Sequence, residues 1–243
     1  MDKRIQNEIE HGKYLAHEGA GEVWNWESPA GKLRWQRRVK MLTTSIKPTD
    51  QILELGCGTG YFTKEIVSTG AFVTAIDISP ELLNIAKMEI TVSNVSFLLD
   101  NAYDLSFKEN SFDQIVGSSV LHHLEIKKAI GEMFRVLKPG GRIIFTEPNM
   151  MNPQIAMQKN IPALKRKLGD SPDETAFFRW TLKKLLLNTG FIAISIEPFD
   201  FLHPAITPSL IPLISGIGSM VEKIPVLKEI AGSLYITAQK PSA

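Results

Sequence analysis

The sequence predicts a doubly wound α/β fold, with a seven-stranded, mostly parallel sheet carrying helices on both faces, and three observations lead there. From Gln51 onward, short apolar runs alternate with stretches of helical period. A loop with three glycines, Gly56-Cys57-Gly58-Thr59-Gly60, lies directly between one such run and one such stretch. The local punctuation agrees with the periods: Ser79-Pro80 reads as a cap and first helical residue, and Lys138-Pro139-Gly140-Gly141 as a helix stop followed by a turn.

Taken in order, residues 1–46 are polar with interspersed aromatics (Tyr14, Trp24, Trp26, Trp35) and a break at Ser28-Pro29-Ala30-Gly31. They predict a helix, a loop and a helix, an N-terminal helical cover over the main domain at 47–243. That domain opens with strand Ile52 to Leu55, helix Tyr61 to Ser68, strand Phe72 to Ile76 and helix Pro80 to Thr91. Strands Val95 to Leu99 and Phe112 to Gly117, helix Ile126 to Leu137 and strand Arg142 to Thr146 follow. Glu147 to Pro172 reads as irregular and rich in Asn and Pro, with a basic patch (Lys159, Lys165, Arg166, Lys167) expected to be a solvated helix face. A helix Thr181 to Asn188 and strands Phe191 to Ile196 and Leu234 to Gln239 complete the sheet, with a short helix near Val226 to Ile230 before the last strand.

Bulk composition limits what this fold serves. At 243 residues and 44% hydrophobic content the chain suits one domain with a lid. Its 27 basic and 26 acidic side chains leave a net charge of +1, which argues against a nucleic-acid partner. The single cysteine, Cys57, permits no intramolecular disulfide, and the charged start (Asp2, Lys3, Arg4, Glu8, Glu10) lacks the apolar core of a signal peptide. A cytoplasmic, reducing location is expected. Phe201 to Val221 carries no charged residue and is about long enough to span a bilayer, but Pro204, Pro208 and Pro212 interrupt it. A lid, an oligomer contact or a membrane-surface element fits that stretch better than a spanning helix.

The glycine loop places a ligand at the carboxyl end of the sheet, against bare backbone. Dinucleotide sites hold a pyrophosphate there, whereas Glu54 puts a carboxylate just before this loop, where it would repel phosphate and attract a cation. S-adenosylmethionine (SAM) carries an ammonium and a sulfonium and no phosphate. Asp77, at the end of the second strand with Ile78 after it, is placed to accept from both ribose hydroxyls of any nucleoside.

With Glu54-Leu55-Gly56-Cys57-Gly58-Thr59-Gly60 and Asp77 in place, the sequence resembles the class I SAM-dependent methyltransferases, in their small-molecule branch. The resemblance runs from about Gln51 to Asn149 and includes Phe112-Asp113, Leu121-His122-His123-Leu124 and Leu137-Lys138-Pro139-Gly140-Gly141. It implies the Rossmann-like methyltransferase fold, SAM as cofactor, the methionine part on Gly56, Gly58 and Gly60, and ribose on Asp77. It also implies an acidic residue and an alanine beside the adenine, ahead of a Leu-Pro-Phe. Here the chain reads Asp100-Asn101-Ala102-Tyr103-Asp104-Leu105-Ser106-Phe107, with Asn101 where the acid is expected and Ser106 where the proline is. An amide oxygen still accepts from the adenine amine, so the contact falls to Asp100 or Asn101.

Methyl transfer from a sulfonium is an in-line displacement needing no metal and no protein nucleophile; a base helps when the acceptor must lose a proton. His122 and His123 follow Ser118 and Ser119 at the end of the fourth strand, where an acceptor belongs. Adjacent side chains at such a bend are expected not to face the site together, which favours His122; capping the next helix is the alternative for both. Glu147, ending the fifth strand, either orients the acceptor, serves as base or hydrogen-bonds into its own turn. His203 could close over the acceptor or be structural, and the smallness of Cys57 suits its place in the loop. Trp24, Trp26 and Tyr14 could wall the pocket or simply pack the cover on the core.

Insertions at about 148–177 and 199–232 are expected to cap the acceptor, and the apolar second one suggests a small-molecule or lipid-linked acceptor, with peripheral membrane contact. A dehydrogenase or epimerase would need a phosphate-friendly loop and a Tyr-x-x-x-Lys pair, but Tyr103 is followed at that spacing by Phe107, and Tyr61 reaches a lysine only at Lys64. A SAM-binding module without transfer is the remaining alternative.

Overall fold

The computed structural model describes residues 3–242; Asp2, counted above in the charged start, lies outside them. Strand β1 (Gln51–Leu55) is buried from Ile52 onward, the carboxyl of Glu54 included, because both of its faces are covered. Leu53 and Leu55 enter one core with Ile115, Met133 and Phe145, while Ile52 points the other way into a second core with Leu42, Val73 and Ile144. Strands β2 (Phe72–Asp77), β3 (Val95–Leu99), β4 (Phe112–Ser118), β5 (Leu137–Pro148), β6 (Ile192–Phe199) and β7 (Ser233–Gln239) complete a seven-stranded sheet of order β3-β2-β1-β4-β5-β7-β6. β1 to β5 pair in parallel and β7 runs antiparallel between β5 and β6, so the sheet is mostly parallel as expected. The chain winds outward on one side through β2 and β3 and returns to β4 on the other. The crevice beyond the carboxyl ends of β1 and β4 is the place where such a sheet binds ligands.

Helices α1 (Lys3–Glu18), α2 (Ala20–Val23) and α3 (Pro29–Thr43) precede the sheet, and α4 (Thr63–Val67), α5 (Pro80–Glu89) and α6 (Ile126–Val136) connect its strands. The break foreseen at Ser28-Pro29-Ala30-Gly31 is the start of α3: Ser28 Oγ accepts from Gly31 N at 3.0 Å and Pro29 takes the first turn, where its missing donor is harmless. The segment foreseen as irregular holds two helices, α7 (Pro153–Asn160) and α8 (Pro162–Lys167), each begun by a proline. The Lys138–Gly141 turn lies within β5, where Gly140, at φ +78°, lets the chain bulge without leaving the sheet. α9 (Arg179–Thr189) leads into β6. In the apolar stretch, the three prolines end where α10 (Ile211–Val221) begins, with Pro212 in its first turn.

Candidate active site

The loop after β1 turns through Gly56 at φ +63° and Gly58 at φ +54°, backbone that glycine adopts without strain. A Cβ on Gly56 would lie 2.3 Å from Val120 Cγ2, and one on Gly58 3.1 Å from Trp24 Cη2, so side chains there would fill the cradle. Asp77 ties the loop to β2: its Oδ2 accepts from Gly58 N at 2.8 Å and its Oδ1 from Ser79 N at 2.9 Å. Burial raises its carboxyl pKa and those amide bonds oppose the rise.

Gly56, Cys57, Gly58, Asp77 and Ile78 line a cavity of about 420 Å³. Asp100, Asn101, Ala102 and Ser118 join them on its wall. Asp100 spends both oxygens on its own turn, accepting from Asn101 N at 2.8 Å and Ser106 Oγ at 3.0 Å. Ser118 Oγ lies 2.8 Å from Thr146 Oγ1. Cys57 is buried, and that burial pushes its thiol well above the usual range, which disfavours the thiolate.

Two residues expected at the cofactor stay off the cavity wall. Glu54 is 2% exposed and accepts from Thr63 Oγ1 at 2.7 Å; burial, against that bond, pushes its carboxyl up to about 7. Gly60 packs on α5, where an added Cβ would lie 2.7 Å from Ile90 Cδ1. Any attraction of Glu54 for a cation therefore acts from behind the loop.

At the turn after β4, which lines the same cavity, Ser119 takes φ +57° and leads the chain into the 3₁₀ turn Leu121–His123. Glu147, at the end of β5, is 1% exposed beneath that turn. Its Oε1 accepts from Val120 N at 2.9 Å and Leu121 N at 2.8 Å, and its Oε2 lies 2.7 Å from His122 Nδ1. Glu147 stays off the wall and meets it only through its contact with His122. The expectation that adjacent histidines could not both face the site fails: the two rings lie 4.3 Å apart, both on the wall, His122 held by Glu147 and His123 by Glu8. Burial, and then the neighbouring His123, push the His122 pKa down. Burial opposes charge on His123 as well, but Glu174 and Glu8 outweigh it and lift its pKa to about 9.

Glu8, His11, Glu174, Lys159 and Asp170 also line the cavity, and the sequence carried no signal for them. They come from α1, α7 and the loop before α9, and no local motif links them. His122, His123 and Glu174 each present a ligand atom within 4.8 Å of one another, a spacing suited to a divalent ion. The ammonium of Lys159 already sits on Glu174 and lies 2.9 Å from Asp170 Oδ2, so this cluster holds its own cation. Lys165 turns inward too, donating to the carbonyls of Pro172 and Glu174 at 2.9 and 2.6 Å. Lys159 and Lys165 thus pin the 170–174 loop and do not belong to a solvated face, whereas Arg166 and Lys167 are exposed as expected.

The cover closes the cavity with Trp24 and Trp26, while Tyr14 stays outside it, 44% exposed. The insertion at 148–177 contributes Pro148, Ile155, Gln158 and Leu168 to the wall. From 199–232 the wall takes Gly232 alone among the described residues; Arg37 binds Glu222 at 2.8 and 2.6 Å and holds α10 outside. His203 is also outside, accepting from Ala205 N at 3.1 Å.

Residues 53–145 match a family model described as a methyltransferase domain. The demethylmenaquinone methyltransferase of Paenarthrobacter aurescens (strain TC1) is 29% identical over 163 residues, 63% of this chain and 63% of that protein. The ubiquinone/menaquinone biosynthesis C-methyltransferase UbiE of Vibrio cholerae is 35% identical over 134 residues, 52% of this chain and 52% of that protein. The chain spans about half to two thirds of the length of these curated relatives. Among solved structures, the N-methyltransferase NodS from Bradyrhizobium japonicum WM9, in complex with S-adenosyl-L-homocysteine, matches with a TM-score of 0.62 at 20% identity, covering 90% of this chain and 92% of that one. Residues 53–145 are thus similar to a methyltransferase domain, and the fold around them is the one that NodS shares.

Proposed function

We propose that the chain is a SAM-dependent methyltransferase whose acceptor is a small, largely apolar molecule bearing an ionisable hydroxyl. One observation carries this reading: a single cavity is lined both by the glycine loop with Asp77 and by His122, which is backed by Glu147.

The residues fit the cofactor. Gly56 and Gly58 leave open the cradle that side chains would fill, and the carboxylate of Asp77 is fixed beside it. When bound, SAM supplies an electrophilic methyl group whose carbon–sulfur bond breaks as the acceptor's electron pair forms the new bond, leaving a neutral thioether. The protein's part is positioning, exclusion of water and removal of one proton. Glu147 accepts from His122 Nδ1–H, which leaves Nε2 as the lone-pair nitrogen that takes the hydroxyl proton. Gly58, Asp77, Ile78, Asn101 and Ala102 hold the nucleoside and methionine parts, with Cys57, Asp100 and Ser118 on the same wall.

The names of the two relatives support an acceptor of the quinone-precursor class. The outer face of α10 supports a bilayer as the place it is drawn from: Leu213, Ile217 and Met220 are 58%, 49% and 68% exposed. Among the described residues no helix is long and apolar enough to cross a membrane, so the contact is peripheral. The buried lone thiol suits the reducing, cytoplasmic face of such a membrane.

Calorimetric titration with SAM and NAD, followed by transfer of labelled methyl groups to hydroquinones with and without an apolar tail, tests this. Micromolar SAM binding and label in the tailed acceptors is the expected result. NAD binding without SAM binding would overturn the reading, and turnover confined to small polar acceptors would overturn the acceptor class.

A further inference from the structure

The two histidines on the cavity wall sit in opposite electrostatic surroundings, and a helix distant in sequence makes the difference. Glu8 projects from α1 into the cavity, where its Oε2 lies 2.7 Å from His123 Nδ1 and its Oε1 accepts from Ser171 Oγ at 2.6 Å. Glu174 Oε1 approaches the same His123 nitrogen at 3.7 Å. Beside them, Asn7 donates to Asp173 Oδ2 at 2.6 Å and Arg4 donates to the Asp173 carbonyl, so α1 is pinned along the 171–174 segment.

We propose that Glu8 is a positioning residue for the transfer: with α1 docked it keeps His123 an imidazolium, and that charged ring holds the acceptor's oxygen while His122 takes its proton. This rests on the methyltransferase reading above. The proton passes from the acceptor hydroxyl to His122 Nε2; His123 keeps its own protons, giving one hydrogen bond to Glu8 and leaving Nε2–H as its second donor.

Paired titratable groups whose surroundings push them apart divide the roles of base and charge stabiliser between them. Around His123 stand Glu8 and His11 from α1, Glu174 and Asp170 from the loop, Lys159 from α7, and His122 with Glu147 behind it. Burial and the charge of His123 hold His11 down, so the carboxylates face one charged imidazole. Removal of Glu8 takes away the carboxylate in direct contact with His123, while Glu147, the partner of His122, is untouched.

The test is Glu8→Gln in the full chain, with Glu8→Asp as the conservative companion. The wild-type pH profile of kcat/KM is expected to fall on its alkaline side near pH 9. In Glu8→Gln that limb moves down by about one unit or more, which costs about tenfold at alkaline pH and little near pH 6.5. The His123 ring titration followed by NMR moves with it, SAM affinity stays within about twofold, and Glu8→Asp restores part of the shift. A loss equal at every pH, with the His123 titration unmoved, would reduce Glu8 to a latch for α1 and overturn the proposal. A wild-type chain that binds SAM and methylates no acceptor would overturn the transfer reading itself, and the NMR titration would still report separately on the Glu8–His123 pairing.

Discussion

Glu147 Oε2 lies 2.7 Å from His122 Nδ1, and the same buried carboxylate takes the amides of Val120 and Leu121 on its other oxygen. One side chain therefore both shapes the 3₁₀ turn and fixes the tautomer of the ring it carries. Glu147→Gln keeps an acceptor for the amides but removes the charge that orients the imidazole. The expected outcome is a fall in kcat of about tenfold to a hundredfold, with SAM affinity unchanged. A matched loss in SAM affinity, measured by calorimetry, would place Glu147 in the structure of the loop instead.

Asp77 joins β2 to the glycine loop through Gly58 N and to the start of α5 through Ser79 N. Asp77→Asn preserves shape and one acceptor while removing the charge. Hydrogen bonds to charged groups are worth about 1.5–3 kcal/mol, so SAM dissociation should rise by about ten- to a hundredfold. An unchanged dissociation constant would mean that the nucleoside is held elsewhere on the wall.

These two sites differ in how far the sequence revealed them. The loop and Asp77 are local: a strand, three glycines and a helix lie within seventeen consecutive positions, and Asp77 closes the very next strand. Glu8 meets His123 across 115 residues, and no spacing rule reaches that far. Of the basic residues at Lys159–Lys167, Arg166 and Lys167 are exposed as composition suggests, but Lys159 and Lys165 depart from it for a related reason. Lysine reads as solvent-facing by composition, but Lys159 is turned inward by Asp170 and Glu174, which only the fold brings close. The two histidines share the wall because each ring is held by a carboxylate from a different element, Glu147 from β5 and Glu8 from α1, which no local spacing reveals.

The same cavity wall makes stability depend on pH. The His123 pKa lies at about 9 in the folded chain, above the unfolded value of about 6.5. Its pairing with Glu8 and Glu174 is thus fully present below the unfolded value and fades as pH rises through the folded one. The urea midpoint should decline between about pH 7 and pH 10 in the wild type, and Glu8→Gln should flatten that decline. Parallel curves for the two proteins would show that His123 contributes nothing in that window.

Asp200 holds the cover to the sheet. It accepts from Arg38 and Arg34 at 2.8 Å each, and Arg38 also donates to Ser233 Oγ at 2.6 Å. Burial pulls the Arg38 guanidinium down to about 10, and Asp200 keeps it charged. Asp200→Ala would strand a buried cation, a change that costs about 3–5 kcal/mol. Chemical denaturation should show that loss; a change below about 1 kcal/mol would mean that water reaches Arg38 once α3 loosens.

α10 is the helix whose sequence and surroundings disagree most. It is almost wholly apolar, yet Ile211 and Gly218 are its only buried residues, and Leu213, Ile217 and Met220 stand in solvent with Ile224 and Val226 beyond them. A protein partner usually meets a charged rim, but the 21 residues from Phe201 to Val221 carry no charge, which a bilayer tolerates better. Burial of an apolar side chain is worth about 1.5–3 kcal/mol, roughly half of it here because these residues are already partly covered. The double variant Leu213→Ser with Ile217→Ser should therefore lower binding to phosphatidylcholine–phosphatidylglycerol vesicles by about tenfold or more. SAM affinity should hold, since neither residue lies on the cavity wall. Wild-type protein that ignores vesicles but dimerises through this face, with light scattering showing the variant monomeric, would assign the surface to a second copy and remove the bilayer from the proposed function.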